Sequence, residues 1–146
     1  MIYPDTSFWV ALRIKGELHH DRALHWYEAH EREQWSWSPW HRAEVFNTIR
    51  QLARVGIISK AEAREVIRRF VYDVRADYFV HAEADWREVI RQFDELSAAH
   101  DDLPVRSADL LHVAYAIETQ NEVFVSFDAD QRAIAKAAGL DAPLLD

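Results

Sequence analysis

Cysteine is absent from the 146 residues. That excludes a disulfide framework, a thiolate zinc site and a cysteine nucleophile, and a reducing cytoplasm is the expected compartment. Glycine is nearly absent too. Gly16, Gly56 and Gly139 each follow a stretch of helical periodicity, where a left-handed residue just past the helix end is expected. None is left for a Walker loop or a G-x-G-x-x-G turn, so nucleotide binding in a glycine cradle is not expected. No apolar run approaches the ~18–20 residues of a membrane span, and no membrane role is expected. The first residues read as a core strand rather than a signal peptide. Positive charge is scarce: 17 bases against 25 acids give −8. This argues against sequence-blind coating of nucleic acid, yet not against a nuclease, because a phosphate responds to the local field.

A chain of this length that is 49% hydrophobic fits one domain over 1–146, with a sizeable core and no Pro/Ser/Gly-rich linker. Strand and helix patterns alternate along it. Ile2–Pro4 and Trp35–Trp37 read as short strands, as do Tyr78–Val80, Glu122–Phe127 and Pro143–Leu145. Helices are expected over Thr6–Lys15, His19–His30, Pro39–Val55, Lys60–Val74, the Trp86–Leu96 stripe, a segment capped by Ser107, and Ala129–Ala138. Ser38-Pro39 supplies an N-cap and an N1 proline, and Ser59-Lys60-Ala61-Glu62 is a capping box. Alternation of this kind implies an α/β fold, a three-layer α/β/α sandwich around a mostly parallel sheet. Ligands of such sheets bind beyond the carboxyl ends of the strands.

Asp5 and Asp128 stand at two such ends, and Glu44 and Asp109 lie near the starts of two amphipathic segments. Each has an ordinary explanation. Asp5 and Asp128 suit helix caps, Asp109 suits the first turn of a helix, and a glutamate such as Glu44 is usually solvated. Together they form an oxygen-only donor set, which suits Mg²⁺ or Mn²⁺ and thus phosphodiester chemistry.

The segments Pro4-Asp5-Thr6-Ser7-Phe8, Ala43-Glu44-Val45-Phe46-Asn47, Ser107-Ala108-Asp109-Leu110-Leu111-His112 and Val125-Ser126-Phe127-Asp128-Ala129-Asp130 occur in this order. In order and spacing the set resembles the PIN-domain ribonucleases. Within them it looks most like the VapC toxins of bacterial and archaeal toxin–antitoxin pairs. The resemblance runs from residue 2 to about residue 140. It implies a metal-dependent endoribonuclease in which Asp5, Glu44, Asp109 and Asp128 hold Mg²⁺ or Mn²⁺. It also implies an RNA substrate, a cognate antitoxin and a homodimer. Thr6, Asn47, Ser126, Asp130 and Arg106 are the supporting candidates. Phe8-Trp9 departs from the aliphatics of many members, which is expected to affect packing rather than chemistry.

Other residues carry weaker signals. Arg42, Arg50, Arg54 and Arg106 flank the acidic motifs and could hold phosphates, although solvated helix faces are their ordinary role. Trp26 and Trp86 are expected in the core, whereas Trp37 and Trp40 are candidates for an interface or a substrate wall. His112 is read first as a satisfied core histidine. Two other functional classes remain open. An acid-pocket phosphatase would carry a second Asp two residues after the first, where Ser7 stands. A non-catalytic RNA- or protein-binding module would be expected to have lost an acid, and all four are present.

Overall fold

The computed structural model describes residues 1–145. Strand β1 (Ile2–Pro4) pairs in parallel with β4 (Val123–Val125), and β2 (Ser36–Trp37) pairs in parallel with β3 (Val80–His81). A parallel bridge between Ile2 and Trp35 joins the two ribbons, and another between Val123 and Asp141 extends the far edge. The strand order is therefore β3-β2-β1-β4, all parallel. Helices α1 (Thr6–Arg13), α2 (His20–Ala29), α3 (Pro39–Arg54) and α4 (Lys60–Arg75) provide the early crossovers. Helices α5 (Trp86–Ala99), α6 (Ser107–Glu118) and α7 (Ala129–Ala137) follow.

Strand alternation sorts the core into two layers. Ile2 and Val125 face a cluster with Phe8, Trp9, Val45, Ile49 and Phe70 from α1, α3 and α4. Tyr3 and Phe124 face the other side, with Val89, Leu110, Val113 and Ile134 from α5, α6 and α7. Phe8 and Trp9 are fully buried. Phe8 stacks on Trp35 at 5.5 Å, and Trp9 packs against Phe79 at 4.7 Å. The aromatic departure from the family pattern is thus a packing feature. Among the described residues, no helix is long and apolar enough to cross a membrane.

Local chemistry explains most boundaries. Ser38 and Ser59 both cap helices through capping boxes, α3 with Pro39 at its first position. The third residue of the α3 box is His41, an imidazole in the place usually held by Glu or Gln. Gly56 and Gly139 adopt the left-handed φ expected after a helix, +79° and +91°. Gly16 does not. Helix α1 stops two residues earlier than expected, where the extended Ile14 turns its side chain into the core.

Three further expectations are corrected. Ser107 is the first helical residue of α6, and Arg106 occupies the cap position without a side-chain cap bond. Strand β3 begins at Val80 rather than Tyr78, because Trp35 and Trp37 present their carbonyls to Val80 and Ala82. Pro143–Leu145 is not a strand. Pairing at that edge is confined to Asp141, while Leu145 turns back into the first core layer.

Candidate active site

The carboxyl ends of β1, β2 and β4 lie along one edge, and each runs directly into a helix. Asp5 ends β1 and caps α1. It is 4% exposed, and its Oδ1 accepts a hydrogen bond of 2.9 Å from the Phe8 amide. The Ser7 hydroxyl donates to the same carboxylate at 2.8 Å, and Ser126 Oγ, just past β4, reaches its Oδ2 at 2.8 Å. Burial pushes the Asp5 carboxyl up, and the opposing pulls of His112 and these donors do not cancel it. Asp5 is thus both a helix cap and a desolvated carboxyl whose charged form a nearby cation would favour.

Glu44, on the first turns of α3, is half-buried. Its Oε2 accepts from the Thr6 hydroxyl and lies 2.5 Å from His112 Nε2. Burial raises the Glu44 carboxyl, but hydrogen bonds from His112 and Thr6, together with the nearby Arg106 guanidinium, bring it below the ordinary range. His112, 1% exposed on α6, has its Nδ1 3.1 Å from the hydroxyl of the buried Tyr3. That hydroxyl is held protonated by burial, so it donates to Nδ1, and His112 carries its proton on Nε2 facing Glu44. His41 is fixed in the same tautomer. Its Nδ1 accepts from the Ser38 amide at 2.9 Å, and its Nε2 donates to the Pro4 carbonyl at 2.6 Å. Burial drives its pKa down, so it stays neutral. His112 is therefore the satisfied core histidine expected from the sequence and also the residue that fixes Glu44. Spacing hints at the second role, since His112 sits three residues after Asp109.

Asp109 lies in the first turn of α6, where Arg106 Nε meets its Oδ2 at 3.1 Å. The Arg106 guanidinium is held protonated mainly by this bond and the Asp109 charge, with smaller contributions from Glu44 and Asp128. Asp128 caps α7 through a 2.9 Å bond from the Gln131 amide, and its own amide donates to Ser126 Oγ at 2.9 Å. The Gln131 side chain then spans to the Asp109 carbonyl at 3.0 Å. Asp5, Ser126, Asp128 and Asp109 thus share one hydrogen-bonded cluster, while Glu44 belongs to a second one with Thr6, His112 and Tyr3. Asn47 and Asp130 are exposed at its margin. Gln131, buried at 1%, is a connector that nothing in the sequence pattern singled out.

The tryptophans are arranged otherwise than expected. Trp37 is 1% exposed and belongs to the core rather than to a substrate wall. Trp40 is half-buried, its ring 6.1 Å from that of His112. Trp86, expected inside, is 42% exposed.

Among the described residues no three His, Cys, Asp or Glu side chains approach closely enough to enclose an ion alone. The donor set still fits Mg²⁺ or Mn²⁺, which are held by one or two carboxylates and complete their shells with waters and substrate phosphates. The buried Asp5 carboxylate supports that fit independently, because a nearby cation would offset its desolvation.

Its raised pKa gives a direct check. A carboxyl raised by folding holds its proton more tightly in the native state, so stability is lost as pH rises through the native value. In chelator, wild type is expected to gain melting temperature relative to Asp5→Asn as pH falls from neutral toward 3.8, the unperturbed value. A relative loss over that range would show that the fold instead favours the anion.

A PIN domain model matches residues 2–137. A search of curated protein sequences gives no match. Among solved structures, Mycobacterium tuberculosis VapC20, described as a sarcin-ricin loop cleaving toxin, superposes with a TM-score of 0.66 at 23% identity, covering 96% of each chain. VapBC2 from Rickettsia felis, bound to a DNA fragment from its promoter, gives 0.67 at 17% identity over 100% of each chain. With the family model spanning nearly the whole chain and the parallel sheet carrying its acids at one edge, this chain belongs to the PIN-domain family.

Proposed function

We propose that this PIN domain, a single unit over 1–146, is a Mg²⁺- or Mn²⁺-dependent endoribonuclease and the toxin of a toxin–antitoxin pair acting in the cytoplasm. The observation that carries this reading is the buried Asp5 carboxylate, fixed between β1 and β4 and joined by hydrogen bonds to the segments that carry Asp128 and Asp109. The solved relatives support it, one described as a sarcin-ricin loop cleaving toxin and the other as VapBC2 bound to a DNA fragment from its promoter.

Asp5, Glu44, Asp109 and Asp128 would hold the ion. Bound there, it would lower the pKa of an attacking water and offset charge on the phosphate. Ser7 and Ser126 keep Asp5 from turning. Thr6 and His112 occupy one oxygen of Glu44 and leave Oε1 for the ion. Asp109 or Asp128, less enclosed than Asp5, takes the proton of the water. Arg106, exposed beside Asp109, pairs with a phosphate of the RNA.

Two assemblies belong to this reading. A basic antitoxin segment would silence the enzyme by placing an Arg or Lys among the carboxylates. A homodimer would cover Trp86 and Ile90, which lie one turn apart on α5 and are 42% and 46% exposed. A strict monomer in sedimentation would remove the dimer.

The decisive test of the chemistry is end-group analysis of cleaved RNA. Attack by an external water leaves 5′-phosphate and 3′-hydroxyl ends, and the reaction stops in chelator. Attack by the neighbouring 2′-hydroxyl leaves a cyclic phosphate. Cyclic ends, or cleavage that persists in chelator, would overturn the mechanism.

A further inference from the structure

Between α3 and α4 lies a groove of ≈ 350 Å³ lined by Arg50, Arg54, Lys60 and Arg64 over a floor of Ala53, Ala63 and Ile67. Four cations and no carboxylate line it, in a chain whose net charge is −8. Arg50 and Arg54 stand four apart on α3, as do Lys60 and Arg64 on α4. Like charges at that spacing repel, so two unfavourable pairs face each other across the groove. The neighbouring cations of α4 are treated differently. Arg68 and Arg69 both pair with Glu65, at 2.6 and 3.5 Å. Such an arrangement is relieved by a bound polyanion.

The groove is continuous with the acid site along one helix. Glu44, Asn47, Gln51 and Arg54 follow one another at spacings of three, four and three, which makes them a single stripe on α3. At 1.5 Å per residue the stripe rises about 15 Å along the helix axis from Glu44 to Arg54. It passes from carboxylate through neutral polar to cationic side chains. A strand whose scissile phosphate sits at the acids would cross Asn47 and Gln51 and bring its next phosphates to the arginines.

We propose that the α3–α4 groove is a second substrate-binding site, which holds backbone phosphates of single-stranded RNA several nucleotides away from the cut. This rests on the ribonuclease reading above and extends it. The site would read no sequence, but it would require a substrate with a free strand on one side of the cleavage position.

The test is binding of a fluorescein-labelled 20-nucleotide single-stranded RNA in chelator, followed by anisotropy across a salt series. Arg54→Glu combined with Arg64→Glu is expected to weaken binding by at least about tenfold at low salt. The slope of log affinity against log salt should flatten by about 1.4, at about 0.7 for each phosphate that the double variant no longer neutralises. Arg68→Glu should change neither quantity, and circular dichroism of the variants reports their folding. Wild-type affinity and slope in the folded double variant would overturn the proposal. So would loss of binding to an acidic peptide while RNA binding is kept, because the groove would then serve a protein partner. The outcome is separable from the catalytic reading. Cleavage with groove-independent binding removes only the groove, whereas groove-dependent binding without metal-dependent cleavage removes only the nuclease.

Discussion

Asp109→Asn is expected to lower RNA cleavage in Mg²⁺ by on the order of a thousandfold, through about 4 kcal/mol less charge stabilisation in the transition state. Its unfolding free energy should stay within about 0.5 kcal/mol of the wild type. The Asp109 side chain caps nothing, and its partner Arg106 is 82% exposed, so the pair adds little to stability. Asp5→Ala and Asp128→Ala should lose activity to a similar degree but also lose stability. Each residue is a helix cap with a bond to a backbone amide, and loss of a cap costs roughly 0.5–2 kcal/mol. Cleavage assays beside urea unfolding curves check both halves. An Asp109→Asn protein that cuts RNA at the wild-type rate would remove Asp109 from the site.

The second large effect falls on His112. His112→Leu removes the donor to Glu44 and leaves the fully buried Tyr3 hydroxyl without an acceptor. The expected loss is about 2 kcal/mol of stability from the unpaired buried group. Affinity for Mn²⁺ should fall roughly 10- to 100-fold, the usual cost of releasing a ligand from its supporting hydrogen bond. His112→Gln keeps an N–H that can reach Glu44 and should recover most of the metal affinity, if not the stability. Calorimetric Mn²⁺ titration of the three proteins separates the roles. If Leu and Gln bind the ion equally well, His112 is only a core residue.

How much is legible in the sequence follows from where each signal resides. The capping boxes at Ser38 and Ser59 are local, so α3 and α4 can be read from a few adjacent residues. Asp5 and Asp128 can be read together because strand ends are where a parallel sheet places its ligands, whereas Glu44 and Asp109 join them only through the family resemblance. The strands are harder. With two or three residues each, their limits are set by a neighbour's carbonyls, as Trp35 and Trp37 do for Val80 and Ala82. The role of His112 is hidden for a related reason. Its partners Tyr3 and Glu44 lie 109 and 68 residues away, and no local pattern encodes a pairing of that separation. Trp37 misleads because a tryptophan beside a functional helix reads alike whether it faces water or Phe70, on which it stacks at 5.1 Å.

The pairing of β1 with β4 also sets when the acidic cluster can assemble. Asp5 and Ser126 are 121 residues apart, and their hydrogen bond exists only once both strands are in register. During synthesis, Asp5 leaves the ribosome early and must wait for almost the entire remaining chain before its second wall arrives. Pairings of such sequence separation are slow to form, because the chain gives up its loop entropy before the two segments reward it. A chain arrested anywhere before Val123 carries at most three of the four acids and no β4 to hold Asp5 against. On the nuclease reading, RNA cleavage is therefore expected to begin only after translation and folding are complete.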